Sequence, residues 1–129
     1  MKVYRKLFSS AIRMMHEEKF QRGIELFNSR EFFLAHEVWE EIWMNEREPE
    51  KTFLQGLIQL AAAFHHHMRG NSSGAQSLLA AAAVKLQRFV PKHRGIDVAE
   101  LRREAVTWAK RLGEENDPGN ENLPRIGPS

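Results

Sequence analysis

The stretch FFLAHEVWEEIW, residues 32–43, combines one histidine and three glutamates with two tryptophans. His36 and Glu40 are four residues apart, so an α-helix would place them on neighbouring turns, close enough to share a proton or a metal ion. Glu37 falls on the far side of the same helix, and His36 and Glu40 lie at the border of its apolar arc. That arc contains Phe32, Ala35, Val38, Trp39, Ile42 and Trp43. Alone, this helix does not define a site, because a histidine at the edge of a core is common.

A second polar stripe lies in residues 52–68, which contain no Lys, Arg, Asp or Glu. Gln55, Gln59 and His66 share one side of this segment, opposite an apolar face. A helix without charges on either face is typically buried on both. Buried amides and imidazoles need partners, because an unpaired one costs about 1–3 kcal/mol. Since consecutive antiparallel helices normally pack together, we expect this stripe to face the histidine–glutamate helix.

The two stripes together predict a buried polar cluster, and its chemistry has several interpretations. The cluster comprises His36, Glu37, Glu40, Gln55, Gln59 and His66. His36, Glu40 and His66 are a ligand set that could hold a divalent metal such as zinc, iron or manganese in a helical bundle. Glu37 or Glu40 could instead act as the base of a hydrolase. A hydrogen-bonded network that fixes helix register is the third interpretation. His65 and His67 point about 100° to either side of His66 and are expected to flank the cluster.

The elements that would position this cluster are all predicted to be helical, because Ala, Leu, Glu, Gln and Arg dominate and no alternating apolar–polar run occurs. Five helices are expected over about residues 10–28, 30–45, 49–69, 74–90 and 97–112. We predict caps at Ser29, at Ser72 or Ser73, and at Asp97. Residues 1–112 would form one helical domain. The Pro/Gly/Asn-rich residues 113–129 would form an extended tail, lying along the surface through Leu123 and Ile126.

A faint repeat with a period of 40 residues predicts how the helices pair. Gly23, Ala35, Trp39 and Ile42 correspond to Ala63, Ala75, Leu79 and Ala82. Small residues at these spacings let two antiparallel helices approach closely, as in tetratricopeptide repeats. We therefore expect a compact bundle of antiparallel helices, built from helical hairpins with tetratricopeptide-like packing.

Composition excludes several classes of protein. The 129 residues include no cysteine, which rules out disulfides, thiolate metal sites and cysteine nucleophiles. No segment is apolar and long enough for a membrane span, and no signal peptide is recognisable, so a cytoplasmic protein is expected. The net charge of +2 makes a nucleic-acid partner unlikely, although seven glutamates fall between residues 31 and 50 and eight basic residues between 85 and 111. We expect these two groups to attract each other across the fold.

Three stretches, LFNSREFFLAHEVWEEIW, FLQGLIQLAAAFHH and RGNSSGAQSLL, together resemble the small bacterial and archaeal family called domain of unknown function 309. The resemblance covers about residues 20–86 and implies an all-helical bundle of about five helices. It also implies that the polar cluster and Asn71 belong to the family pattern. The family positions match His36, Glu37, Trp39, Glu40, Trp43, Gln55, Gln59, His66, Gly70, Asn71, Gly74 and Ala75. The family has no established activity, so the resemblance supports the cluster without naming its chemistry.

The leading hypothesis is a protein that binds a small ligand or a metal at this cluster. The alternatives are a helical module that binds a protein partner or a second copy of itself, and a metal-assisted or glutamate-based hydrolase.

Overall fold

A computed structural model describes residues 2–114, 119–120 and 122–129, with side chains from Ser10 onward. Its five helices are α1 (Lys2–Asn28), α2 (Phe32–Trp43), α3 (Glu50–Met68), α4 (Ser72–Leu86) and α5 (Val98–Gly113). A 3₁₀ turn (Gln87–Phe89) and a hairpin of β1 (Lys92–His93) and β2 (Ile96–Asp97) connect α4 to α5. The prediction of an all-α bundle of five helices is confirmed. Tetratricopeptide-like packing stays a prediction, and so does the division into a domain and a tail.

The bundle is built from neighbours in sequence, since α1 contacts α2, α2 contacts α3, α3 contacts α4, and α4 contacts α5. Helix α3 lies between α2 and α4, and in its uncharged stretch, residues 52–68, every residue from 53 to 67 is buried or half-buried. Its absence of charge therefore has the predicted cause, because both of its faces are covered by protein. All eight positions of the period-40 repeat are buried.

The capping residues observed at the helix ends agree with only some of the capping predictions. Asp97 caps α5 as expected, since its side chain accepts a hydrogen bond from Glu100 N at 3.0 Å. Asn71 caps α4 in place of Ser72 or Ser73, with Asn71 Oδ1 accepting from Gly74 N at 3.0 Å. Ser29 does not cap α2, which follows Glu31 without any side-chain cap. Instead, the turn is closed by Glu31 N donating to Leu26 O at 2.8 Å, a bond that continues the end of α1.

Two further differences concern the ends of the chain. Helix α1 begins at Lys2, earlier than predicted, and its apolar residues Ile12 and Met15 are exposed. The tail returns to the body through Ile126, which is buried and exchanges two hydrogen bonds with the side chain of Asn28. Leu123 is half-buried, as expected for a segment along the surface. Residues 115–118 and 121 of the predicted tail lie outside the described residues.

The hairpin was not predicted. Its strands have two residues each, too few for an alternating pattern to be recognised, and its turn consists of Arg94 and Gly95 with φ of 50° and 77°. Two successive residues with positive φ are the geometry of a tight hairpin turn. The hairpin also holds the tail, because Asp97 N donates to Gly127 O and Ser129 N donates to Gly95 O, both at 3.0 Å.

Candidate functional site

Helix α2 brings His36 and Glu40 into direct contact, as their spacing predicts. Their closest atoms, His36 Nε2 and Glu40 Oε1, are 3.1 Å apart, and the side chains are 25% and 51% exposed. The other ring nitrogen, Nδ1, is buried without a hydrogen-bond partner. A carboxylate that holds one imidazole nitrogen orients the other, an arrangement found in metal ligands and in general bases.

A row of rings runs from His36 towards the end of α3. The His36 ring stacks on Phe33 with centroids 6.1 Å apart, Phe33 contacts His65 at 5.3 Å, and His65 contacts His66 at 6.1 Å. Phe33 and His65 therefore lie between the two histidines that were predicted to converge. Burial lowers the pKa of His65, and the nearby charges of Arg69, His66 and His36 lower it further.

His66 is paired with the predicted residue Asn71 at the turn between α3 and α4. Asn71 Nδ2 lies 3.0 Å from His66 Nδ1, while the other side-chain atom of Asn71 caps α4. The amide therefore connects the last turn of α3 to the first turn of α4. This contact gives His66 a structural role at the turn.

The glutamine stripe occupies the same stretch of the α2–α3 contact as His36 and Glu40. The two helices are antiparallel, with Phe33 against His65 at one end and the Lys51 amine 4.3 Å above the Trp43 ring at the other. Gln55 and Gln59 are half-buried between these ends. Gln59 Oε1 and Trp43 Nε1 are buried without hydrogen-bond partners. With His36 Nδ1 included, three buried polar atoms at this edge of the bundle have no hydrogen-bond partner. Buried polar atoms in proteins are normally paired.

The structure does not bring the predicted metal ligands together. His36 contacts Glu40 and His66 contacts Asn71, and Glu37 is exposed on the outer side of α2. In the part of the chain that the structure describes, no group of three or more His, Cys, Asp or Glu side chains could hold a metal ion. The set His36, Glu40 and His66 is therefore not assembled as a metal site here.

His67 differs from its predicted position at the flank of the cluster. Its side chain is buried, with the ring 5.0 Å from that of Trp108 and Nε2 3.3 Å from Gly119 O. The sequence pattern could have suggested this location. Residues 53, 60, 64 and 67 follow one another at helical spacing, so His67 continues the apolar face of α3.

A cluster at the hairpin was missed by the sequence analysis. His93 Nε2 lies 2.5 Å from Glu50 Oε1, and Arg94 binds Glu17 at 3.0 Å and Glu50 at 3.6 Å. The Arg94 guanidinium also lies 3.9 Å from the centroid of the Phe20 ring. Burial raises the pKa of Glu17, but hydrogen bonds from Gln21 and Arg94 and the Arg94 charge lower it more, so the net shift is downward. Two adjoining clefts of about 470 and 600 Å³ open beside this cluster.

Fold and site together define a small all-helical protein with a polar, half-buried edge between α2 and α3. The model of the family described as Domain of unknown function (DUF309) matches residues 20–78, so the resemblance stated from the sequence is confirmed. That segment includes the entire predicted site, from His36 to Asn71. No helix among the described residues is long and apolar enough to cross a membrane.

Two curated relatives have names that assign no function. The uncharacterized protein YpuF of Bacillus subtilis (strain 168) is 36% identical over 75 residues, covering 57% of this chain and 41% of the relative. An uncharacterized protein of Aquifex aeolicus (strain VF5) is 31% identical over 90 residues, covering 67% of this chain and 27% of the relative. The chain thus spans less than half the length of these curated relatives.

Proposed function

We propose that the protein is a helical interaction module that associates with a second copy of itself through the outer side of α2. The observation that carries the proposal is the composition of this surface, which we call the α2 stripe. It consists of five exposed residues: Phe33, Leu34, Glu37, Glu41 and Met44. Its apolar members are strongly exposed, Phe33 at 51%, Leu34 at 47% and Met44 at 72%. Large apolar side chains grouped on one side of a helix are typical of protein interaction sites.

The polar edge beside the α2 stripe supports the same proposal. His36 Nδ1 and Trp43 Nε1 on α2, and Gln59 Oε1 on α3, are buried without partners. An unpaired buried group costs about 1–3 kcal/mol, so a contact that pairs these atoms gains that free energy. A second chain laid over the stripe would cover Phe33 and Met44 and let the adjoining half-buried side chains rearrange against it.

Sedimentation equilibrium over a range of concentrations tests the proposal. We expect the wild-type protein to form a dimer and the double variant Phe33→Ser/Met44→Ser to be a monomer. The matched control is Val84→Ser/Val106→Ser, which removes two apolar side chains that are 73% and 45% exposed on α4 and α5. It should leave the dimer intact. A wild-type monomer at the highest concentration, or a dimer that survives the α2 substitutions, contradicts the proposal.

A second candidate function is ligand or metal binding centred on His36, and the His36–Glu40 pair favours it. The Glu40 carboxylate lies 3.1 Å from Nε2, and Nδ1, in the tautomer that has its proton on Nε2, would offer a lone pair to a metal ion or to a donor group of a small ligand. Titration of zinc into tag-free protein, followed by calorimetry, tests this candidate. Wild-type protein should bind zinc, and His36→Ala should abolish binding. Equal binding by wild type, His36→Ala and His66→Ala, or no binding at all, contradicts it.

A further inference from the structure

The residues of α1 that contact α2 lie in its second half. The contacts of α1 with α2 run from Phe27, which touches Phe32, to Lys19, which forms an ion pair with Glu41 at 3.0 Å. Residues 2–15, which we call the amino-terminal segment, precede these contacts in the sequence, and Ile12 and Arg13 line a cleft with Glu46. Where its side chains are described, the apolar ones are exposed: Ile12 by 36%, Met14 by 66% and Met15 by 55%.

The sequence of the amino-terminal segment is amphipathic and basic. Its apolar residues recur at spacings of three and four, the helical period, at Tyr4, Leu7, Phe8, Ala11, Ile12 and Met15. Its charged residues, Lys2, Arg5, Lys6 and Arg13, are all basic. At about 100° per residue, Lys2, Lys6 and Arg13 fall opposite the apolar side of the helical wheel and Arg5 falls at its border. A helix of this kind needs an apolar surface with acidic groups beside it.

The α2 stripe has that complementary composition. Helix α2 contains Glu37, Glu40 and Glu41 and no Lys or Arg, against four basic and no acidic residues in the amino-terminal segment. Both surfaces also present exposed large apolar side chains. Opposite charges beside matching apolar surfaces steer two chains together and select against wrong partners.

We infer that the amino-terminal segment of one copy docks on the α2 stripe of a second copy. This inference rests on the proposed self-association and names the part of the chain that occupies the stripe. Each copy has one segment and one stripe, so a two-fold symmetric dimer uses both pairs and forms a closed assembly. This docking would place the apolar side of the segment, as its sequence pattern defines it, over Phe33, Leu34 and Met44. Its basic side would lie beside Glu37 and Glu41, of which Glu41 also pairs with Lys19 of its own chain.

A charge exchange tests the inference. The segment variant is Arg5→Glu/Lys6→Glu/Arg13→Glu, and the stripe variant is Glu37→Lys/Glu41→Lys. In each variant alone the two surfaces have the same sign, so we expect self-association about tenfold weaker or more, a change of about 1.4 kcal/mol. An equimolar mixture restores opposite charges at both contacts and should associate as the wild type does. Sedimentation equilibrium measures all four samples, and circular dichroism checks that each variant is folded.

The outcomes separate this inference from the self-association on which it rests. A dimer that is lost in Phe33→Ser/Met44→Ser but kept in the segment variant leaves self-association standing and overturns the docking of the segment. A mixture that fails to associate overturns it as well. A wild-type monomer overturns both proposals.

Vesicles containing anionic phosphatidylglycerol test the other surface that a basic amphipathic helix could bind. Binding to vesicles through the segment, with self-association insensitive to charge reversal, assigns the segment to a membrane surface instead.

Discussion

Gly23 shows how a single residue sets the distance between α1 and α2. A Cβ atom built at this position would lie 2.1 Å from Nε1 of Trp39, whose ring is fully buried and donates to Phe20 O at 3.2 Å. The sequence analysis identified this position from its small size, twelve residues before Ala35.

Gly23→Ala should therefore destabilise the protein. We expect the free energy of unfolding in urea to fall by about 1–3 kcal/mol, the usual cost of overpacking a core. This outcome opposes the helix propensity of alanine, which alone would stabilise the helix by up to about 1 kcal/mol. Gly127→Ala is the control, because its added Cβ would meet nothing within 4 Å, and it should change stability by less than about 0.5 kcal/mol. A Gly23→Ala variant as stable as the wild type contradicts the close contact with Trp39.

In the candidate site, a contact within one helix could be predicted from the sequence, but a contact between two helices could not. The i, i+4 spacing was sufficient to predict the His36–Glu40 contact, because both residues belong to one helix. It was not sufficient to predict that Phe33 and His65 lie between His36 and His66, because the rotation of α3 about its own axis depends on packing with α2 and α4 together. Contacts within an element follow from its period, whereas contacts between elements require the packed structure.

At the scale of elements, helix ends were harder to predict than helix interiors. The apolar face of α5, from Val98 to Leu112, is buried as its 3, 4, 3, 4 spacing indicates. Serine was preferred to asparagine as the cap of α4, although both residue types cap well. Asn71 takes the position because Gly70, with φ of 81°, ends the turn of α3 one residue before it. The hairpin was missed because its identity depends on two turn residues and on the tail that pairs with it.

Asn71→Ala tests the assignment of this cap. The substitution removes the acceptor for Gly74 N and the contact with His66 Nδ1, so the free energy of unfolding should fall by about 0.5–2 kcal/mol. Ser73→Ala is the matched control, because Ser73 is exposed and is the alternative cap that the sequence suggested; it should cost less than about 0.5 kcal/mol. Chemical denaturation monitored by circular dichroism compares the two. A larger loss in Ser73→Ala than in Asn71→Ala would show that the cap is misassigned.

At the scale of the whole molecule, the uneven charge distribution connects distant parts of the chain. Arg88 forms an ion pair with Glu48 at 3.7 Å and Arg94 one with Glu50 at 3.6 Å, so the basic segment after α4 meets the acidic segment around the start of α3. These are the contacts across the fold that the sequence analysis expected from its charge blocks. Arg94 is the more enclosed of the two arginines, with a side chain 20% exposed against 57% for Arg88.

Arg94 joins three parts of the molecule, because it binds Glu17 on α1 and Glu50 on α3 from a position in the hairpin turn. Arg94→Asn tests its contribution, since asparagine tolerates the positive φ of 50° at this position. The substitution removes both ion pairs and the contact with the Phe20 ring, so we expect a loss of about 1–3 kcal/mol in the free energy of unfolding.

Arg103→Asn provides the comparison, because Arg103 pairs with Glu100 on the exposed side of a single helix. Solvent screens an exposed pair of this kind, so its loss should be the smaller one. Because hairpin and tail are hydrogen-bonded to each other, Arg94→Asn should also speed hydrogen exchange at the amides of Asp97 and Ser129, which bind Gly127 O and Gly95 O. Unchanged exchange at both amides, with stability equal to that of Arg103→Asn, would mean that the hairpin is held in place without Arg94.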